Sequence, residues 1–172
     1  MPHEIPLWLL IVFGAALLVQ LFWYAFFYLT IASPRKPKAT GKKPPLSVII
    51  CARNEEKNLR KNIPKILEQD YPEFEVVVVD DCSEDKTEYV LREFAAQDSR
   101  FRYTRIHKDA KFSHGKKLAL TVGIKSARYE HLVLTDADCS PASKHWLNGM
   151  ARHFRAGASV VLGYGGFFHR KS

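Results

Sequence analysis

The sequence predicts an α/β fold, a mostly parallel sheet with flanking helices, preceded by one transmembrane helix. Three observations carry that reading. From Leu46 onward, short runs of strand character alternate with helix-like stretches, the pattern of βαβ units. The runs LSVII and FEVVVV show almost no polar alternation, as expected of strands buried on both faces. Upstream, Leu7 to Ile31 contains no charged residue, which is long enough to cross a bilayer core of about 30 Å.

That apolar stretch has only Gln20 and Thr30 as clearly polar residues and therefore no polar face of the kind a buried core helix shows. Trp8 near one end and Trp23, Tyr24 and Tyr28 near the other suit interfacial anchoring. A secretory signal carries its basic residues first. Here Glu4 is the only charge before the run, and Arg35, Lys36, Lys38, Lys42 and Lys43 follow it. Residues 1–32 are thus expected to be a retained anchor, single-pass in this chain. The positive-inside rule places the globular part in the cytoplasm, at the bacterial inner membrane. Residues 33–45, rich in Pro and Lys, read as a linker, and residues 46–172 as the globular domain.

Within that domain, Leu46–Ile50 is the first strand. Asn54 opens a helix to about Gln69 as its N-cap, with a kink or break expected at Pro64. Phe74–Val79 is the second strand; the acidic loop Asp80–Asp85 then caps a helix from about Lys86 to Gln97. A third strand covers Phe101–Ile106, and a basic loop runs from His107 to His114. A helix from Gly115 to about Ala127 leads to the strand His131–Thr135. A helix over about Ala142–Phe154 and a strand at about Ser159–Leu162 complete the pattern.

Of the net charge of +8, half lies in the first 45 residues, where it reads as a lipid-headgroup contact. No Arg-rich helix or RNA-binding aromatic motif is present, which argues against a nucleic-acid partner. Cys51, Cys82 and Cys139 show no CxxC spacing and are odd in number, so neither a zinc site nor a disulfide framework is indicated.

In open parallel sheets ligands bind beyond the strand C-termini. Three loops leave strand C-termini here, Cys51–Glu56, Asp80–Asp85 and Asp136–Ser140, and all are rich in carboxylates or amides. Acidic side chains are the wrong charge for phosphate unless a divalent cation lies between. Asp136 and Asp138, alternate residues after an apolar strand, can face one site and offer hard oxygens to Mg²⁺ or Mn²⁺. The same pair also reads as a solvated or helix-capping pair before Pro141. Of Asp80 and Asp81, one can cap the next helix while the other accepts a base N–H. Lys116 and Lys117 read either as phosphate contacts or as surface charge, and His107 and His114 as exposed loop residues.

Taken together, SVIICARNEE, QDYPEFEVVVVDDCSED, GKKLALTVGI and HLVLTDADCSP resemble the family-2 glycosyltransferases of GT-A fold, from about Pro45 to Gly166. The resemblance implies a Rossmann-like nucleotide-binding half and transfer of a sugar from a nucleotide-diphosphate sugar, a UDP-sugar favoured. The expected acceptor is a lipid-linked or polysaccharide one, with an inverting, metal-dependent reaction. It implies that Asp81 binds the nucleobase and that Cys51, Arg53 and Glu55 line the nucleoside pocket. Lys116 would contact nucleotide or phosphate. Asp136 and Asp138 would handle ribose, diphosphate and metal, with Asp138 favoured as the direct ligand. Cys51 and Thr121 depart from the family's usual Pro or Thr and Asn at those places.

Inverting transfer needs a general base, and no acid follows Asp138. That group is expected beyond Ser172, with this chain a truncated donor half. Two alternatives fit the same residues: a membrane-tethered domain that binds a nucleotide sugar without turnover, and a haloacid-dehalogenase-like phosphatase. A nucleotidylyltransferase lacks its Gly-rich loop here, and no GxGxxG supports a dehydrogenase.

Overall fold

The computed structural model describes residues 6–32, 43–107, 115–154, 160–163 and 165–166. It divides into two units, Met1–Lys38 and Ala39–Ser172. The first consists of helix α1, Leu7–Ala32, whose 26 residues rise about 39 Å at 1.5 Å per residue. Its large side chains from Leu7 to Leu29 are exposed on every side. Toward its C-terminal half Phe22, Trp23, Phe26 and Phe27 form one run of ring contacts, with Trp23 stacked on Phe27 at 5.8 Å. By length and composition it can cross a membrane.

In the second unit, strands β1 (Leu46–Ala52), β2 (Phe74–Asp81), β3 (Phe101–Ile106) and β4 (His131–Asp136) form one sheet in the order β3-β2-β1-β4. All three pairings are parallel. The chain builds outward from β1 through β2 to β3, then returns to lay β4 on the other side of β1. Such a reversal opens a crevice between the C-terminal ends of the two strands where it occurs, here β1 and β4.

The period of two sorts the strand residues between the two faces. Val48, Ile50, Val76 and Val78 join a core with Leu59, Ile63 and Ile66 of α2 (Glu56–Leu67) and Val90 and Leu91 of α3 (Thr87–Gln97). Leu147 of the short helix α5 (Trp146–Ala151) belongs to the same core. Ile49 and Val79 face the other way, under α4 (Lys116–Ser126).

Helix α4 approaches the sheet closely because Gly123 has no side chain. A Cβ there would lie 2.5 Å from Ile49 Cγ2 and 3.3 Å from Val79 Cγ2. Alanine is the better helix former by roughly 1 kcal/mol, but overpacking a filled core costs about 1–3 kcal/mol. Ile49 is buried and branched, so the clash wins. Gly123→Ala is expected to lower stability by about 1 kcal/mol net, read as a lower urea midpoint with unchanged slope.

Four sequence expectations are corrected here. Helix α2 runs through Pro64 without a break, Glu68 N–H donating to Pro64 O at 2.9 Å. Burial of Ile63 and Ile66 on either side, worth about 1.5–3 kcal/mol each, offsets the roughly 3 kcal/mol that proline costs. Asn54 does not cap α2, its Oδ1 accepting Glu84 N–H instead. The last helix is shorter than Ala142–Phe154, because the backbone at Ser143 is engaged by Gln69 instead. Finally, Val160–Leu162 form no strand, and Val160 and Leu162 are exposed. Ser159 and His114, with most of the basic loop, lie outside the described residues.

Candidate functional site

Strands β1, β2 and β4 end together: Cys51 is in register with Val79 and with Asp136, and Ala52 with Asp80. Neighbouring strands lie about 4.8 Å apart. The ends of β2 and β4 are therefore about 10 Å apart across β1.

The loop after β1 turns at Asn54, whose φ of 57° is left-handed, a conformation asparagine tolerates better than most residues. Its N–H donates to Ser83 Oγ at 2.9 Å, and its Oδ1 accepts from Glu84 N–H at 2.8 Å. The side chain thus stitches two loops together rather than capping α2. The first N–H groups of α2 go instead to the start of α3: Glu55 N–H to Thr87 Oγ1 at 3.0 Å and Glu56 N–H to Asp85 Oδ2 at 3.3 Å. Asp85 Oδ1 also accepts Thr87 N–H at 2.9 Å, so one carboxylate serves both helices. These contacts hold its pKa below the ordinary value, against the desolvation that would raise it.

After β2 the two aspartates have different tasks. Asp80 is fully buried; its Oδ1 accepts Ser83 N–H at 3.0 Å, and Arg105 Nε lies 3.5 Å from its Oδ2. Asp80 closes its own loop, and the cap expected from this pair comes from Asp85. Arg105, at the end of β3, also donates to Ser83 O at 2.9 Å and pairs with Glu88. Asp81 is 5% exposed, and its Oδ1 has no hydrogen-bond partner among the described residues. A buried acceptor left in that state costs about 1–3 kcal/mol.

After β4 the chain leaves the extended conformation at Asp136. Residues 137–138 form a turn closed by Cys139 N–H donating to Asp136 O at 3.1 Å. The two aspartates therefore reach the cavity from a turn rather than through strand alternation. Ala137 is buried between them, while Asp136 and Asp138 are exposed. Lys116 Nζ donates to Asp136 Oδ1 at 2.7 Å, and this bond, then the charge of Asp136, raises the lysine's pKa. Lys117 is exposed and does not reach the site.

One cavity of about 350 Å³ joins these parts. Its lining includes all seven residues singled out from the sequence, Cys51, Arg53, Glu55, Asp81, Lys116, Asp136 and Asp138. Sequence reasoning missed Ala52, Gly115 and Ala119, small residues that give the cavity room and carry no chemical signal. Burial raises the Cys51 thiol pKa, Lys116 lowers it, and Asp136 and Asp81 raise it further; the net shift is upward and keeps the thiol neutral. Burial and the nearby Asp138 charge likewise raise Cys139.

Do these residues fit a divalent cation? Among the described residues no group of three or more His, Cys, Asp or Glu is arranged to hold a metal. No closed cage of those side chains is thus formed among the described residues. Mg²⁺ binds through one or two carboxylates plus substrate phosphates and water, and Mn²⁺ likewise favours oxygen ligands. Two exposed carboxylates on one turn, open to the cavity, match that donor set.

A parallel sheet with a ligand-sized crevice at its reversal point defines a Rossmann-like α/β domain. The chain matches the Glycosyl transferase family 2 description over residues 47–167 and belongs to that family. A mannosyltransferase from Pyrobaculum calidifontis, solved with GDP-Man and Mn²⁺, is 30% identical, with a TM-score of 0.66 over 84% of this chain and 41% of that one. S. aureus TarS 1–349, solved with UDP-GlcNAc, is 30% identical, with a TM-score of 0.52 over 61% of this chain and 29% of its own. These neighbours establish the GT-A fold. The poly-β-1,6-N-acetyl-D-glucosamine synthase of Staphylococcus epidermidis is 31% identical over 93 residues, 54% of this chain and 21% of that protein. The β-monoglucosyldiacylglycerol synthase of Trichormus variabilis is 31% identical over 116 residues, 65% and 24% respectively. The chain thus spans about a fifth to a quarter of the length of these two relatives.

Proposed function

We propose that this chain is the donor-binding half of a membrane-anchored glycosyltransferase. It takes a nucleotide-diphosphate sugar, a UDP-sugar favoured, and serves inverting transfer to a lipid-linked or polysaccharide acceptor. The observation that carries the reading is the single cavity that gathers Asp81, Glu55, Lys116, Asp136 and Asp138 at the sheet's reversal point. Relatives that act on a polysaccharide and on a glycolipid, and neighbours solved with nucleotide sugars, support it. Membership of the glycosyltransferase family argues against the phosphatase alternative.

In this reading the buried Asp81 carboxylate accepts a hydrogen bond from the base, and the nucleoside crosses β1 past Cys51, Arg53 and Glu55. The diphosphate then lies over Lys116, Asp136 and Asp138. Asp136 and Asp138 would hold Mg²⁺ or Mn²⁺, which would supply Lewis-acid compensation for negative charge on the leaving diphosphate. Lys116, already drawn to Asp136, is free to share its charge with a phosphate oxygen. Helix α1 anchors the domain on the cytoplasmic side, and the run of positive charge in the sequence from Arg35 to Lys43 favours anionic headgroups there.

The test is thermal unfolding with UDP and Mn²⁺. A ligand at about 100 times its Kd stabilises by about 2.7 kcal/mol. Wild-type chain should show that shift with Mn²⁺ and a smaller one in EDTA. Asp138→Ala should give the same shift in both; a variant that keeps the Mn²⁺-dependent part removes Asp138 from the cation site.

A further inference from the structure

Helix α2 and its C-terminal extension carry three polar residues, Asn62, Lys65 and Gln69, at spacings of three and four that place them in one row. Asn62 is 3% exposed and lies among Leu59, Ile63 and Ile66, which are also buried. A polar group buried among apolar ones is costly unless it is bonded. Its Nδ2 donates at 2.9 Å to Ala137 O, the carbonyl between the two aspartates, while its Oδ1 has no partner among the described residues. Lys65 Nζ donates to Ser140 Oγ at 2.9 Å. Gln69 Nε2 donates to Ser143 O at 2.8 Å, and its Oε1 accepts Leu147 N–H at 3.1 Å.

The row therefore grips residues 137, 140, 143 and 147 in succession, the whole path of the chain as it leaves β4. The sheet ladder ends at Asp136 and fixes neither Ala137 nor Asp138. The Asn62 amide ties the peptide between the two carboxylates to the body of the domain by hydrogen bonding, beside the burial of the Ala137 methyl in the core.

We propose that Asn62 is a positioning residue for the cation and diphosphate. Through Ala137 O it sets the direction in which Asp138 presents its carboxylate, with Lys65 and Gln69 holding the residues that follow. This rests on the reading of Asp136 and Asp138 as the cation site. A side chain that acts only on that turn should affect cation binding and leave the Asp81 end of the cavity alone.

The experiment is a Mn²⁺ titration of the full 172-residue chain in detergent micelles at fixed UDP, followed by thermal shift, with UDP titrated separately in EDTA. Asn62→Leu keeps the branching and the number of heavy atoms and removes the donor. Loss of one positioning hydrogen bond is expected to raise the half-saturating Mn²⁺ concentration about tenfold, with UDP affinity in EDTA within about twofold of wild type. An unchanged Mn²⁺ midpoint overturns the proposal, as does an equal loss of UDP affinity in EDTA, which would mark a merely structural role. If Asn62→Leu does not fold, Lys65→Met at an exposed position carries the test. It should raise the midpoint roughly two- to threefold, and no change there overturns the proposal. A wild-type chain that binds UDP identically with and without Mn²⁺ sinks the cation reading itself, and the positioning role with it.

Discussion

Glu75→Ala is expected to destabilise the globular unit by about 3–5 kcal/mol, a large part of a domain's usual 5–15 kcal/mol. Glu75 lies near the start of β2 at 2% exposure, at the sheet end remote from the crevice. One carboxylate there holds three other segments. It accepts from Ser47 Oγ of β1 at 2.7 Å, from Arg102 Nε and Nη2 of β3 at 3.0 and 2.7 Å, and from Arg128 N–H before β4 at 2.6 Å. Arg102 Nη2 continues to Ser126 O at 2.7 Å, the last residue of α4. Removing the carboxylate leaves a partly buried guanidinium and a backbone N–H without their acceptor, the costly way to break such a pair.

The same residue predicts an acid-sensitive fold. Desolvation alone would raise the Glu75 pKa, but the hydrogen bonds from Arg128 N–H, Ser47 and Arg102, with the Arg102 charge, lower it. A carboxylate whose folded pKa is depressed stabilises the fold above the unfolded pKa, about 4.3 for Glu. That contribution is lost as pH falls through the folded value. Asp98, lowered by its bond to Arg100, and Asp85 act the same way from the slightly lower aspartate reference of about 3.9. Wild-type chain should lose stability steeply below about pH 4.3, and Glu75→Ala should show a shallower acid limb above the part that Asp85 and Asp98 supply. An acid limb of unchanged slope in urea melts at several pH values would show that Glu75 contributes no such linkage.

Glu75 also shows where a sequence stops being readable. FEVVVV was legible as a buried strand because apolar runs between turn signals depend on local pattern alone. The role of its one acid was not, since its partners lie 27, 28 and 53 residues away. Asn54 failed for the same reason: as an amide before a helical stretch it reads as a cap, yet its bonds reach residues 29 and 30 positions on. Pro64 obeyed no local rule because two buried isoleucines outweigh it. The crevice itself was legible, because strands of a parallel sheet end at one edge wherever their side chains point. Asn62 had left a trace, a lone amide at an apolar position of α2, but what it holds is 75 residues downstream.

Asp81→Ala should move stability and ligand affinity in opposite directions. In the free chain Asp81 keeps a buried carboxylate oxygen without a partner among the described residues. Because Asp81 lines the open cavity, truncation leaves space that water can enter, not a dry void. The unliganded variant should therefore be as stable as wild type or more stable, by about 1–2 kcal/mol, from release of that unsatisfied acceptor. Its affinity for UDP should fall roughly 10- to 100-fold, the equivalent of one hydrogen bond to a charged acceptor. Uridine, which has no diphosphate, should lose the same factor, and EDTA should leave the ratio between variant and wild type unchanged. Asp138→Ala would give the converse, a loss seen with Mn²⁺ and absent in EDTA. Isothermal titration with both ligands separates the two ends of the cavity. If Asp81→Ala lowers stability and leaves uridine binding intact, Asp81 is a structural acid and the base must be recognised elsewhere.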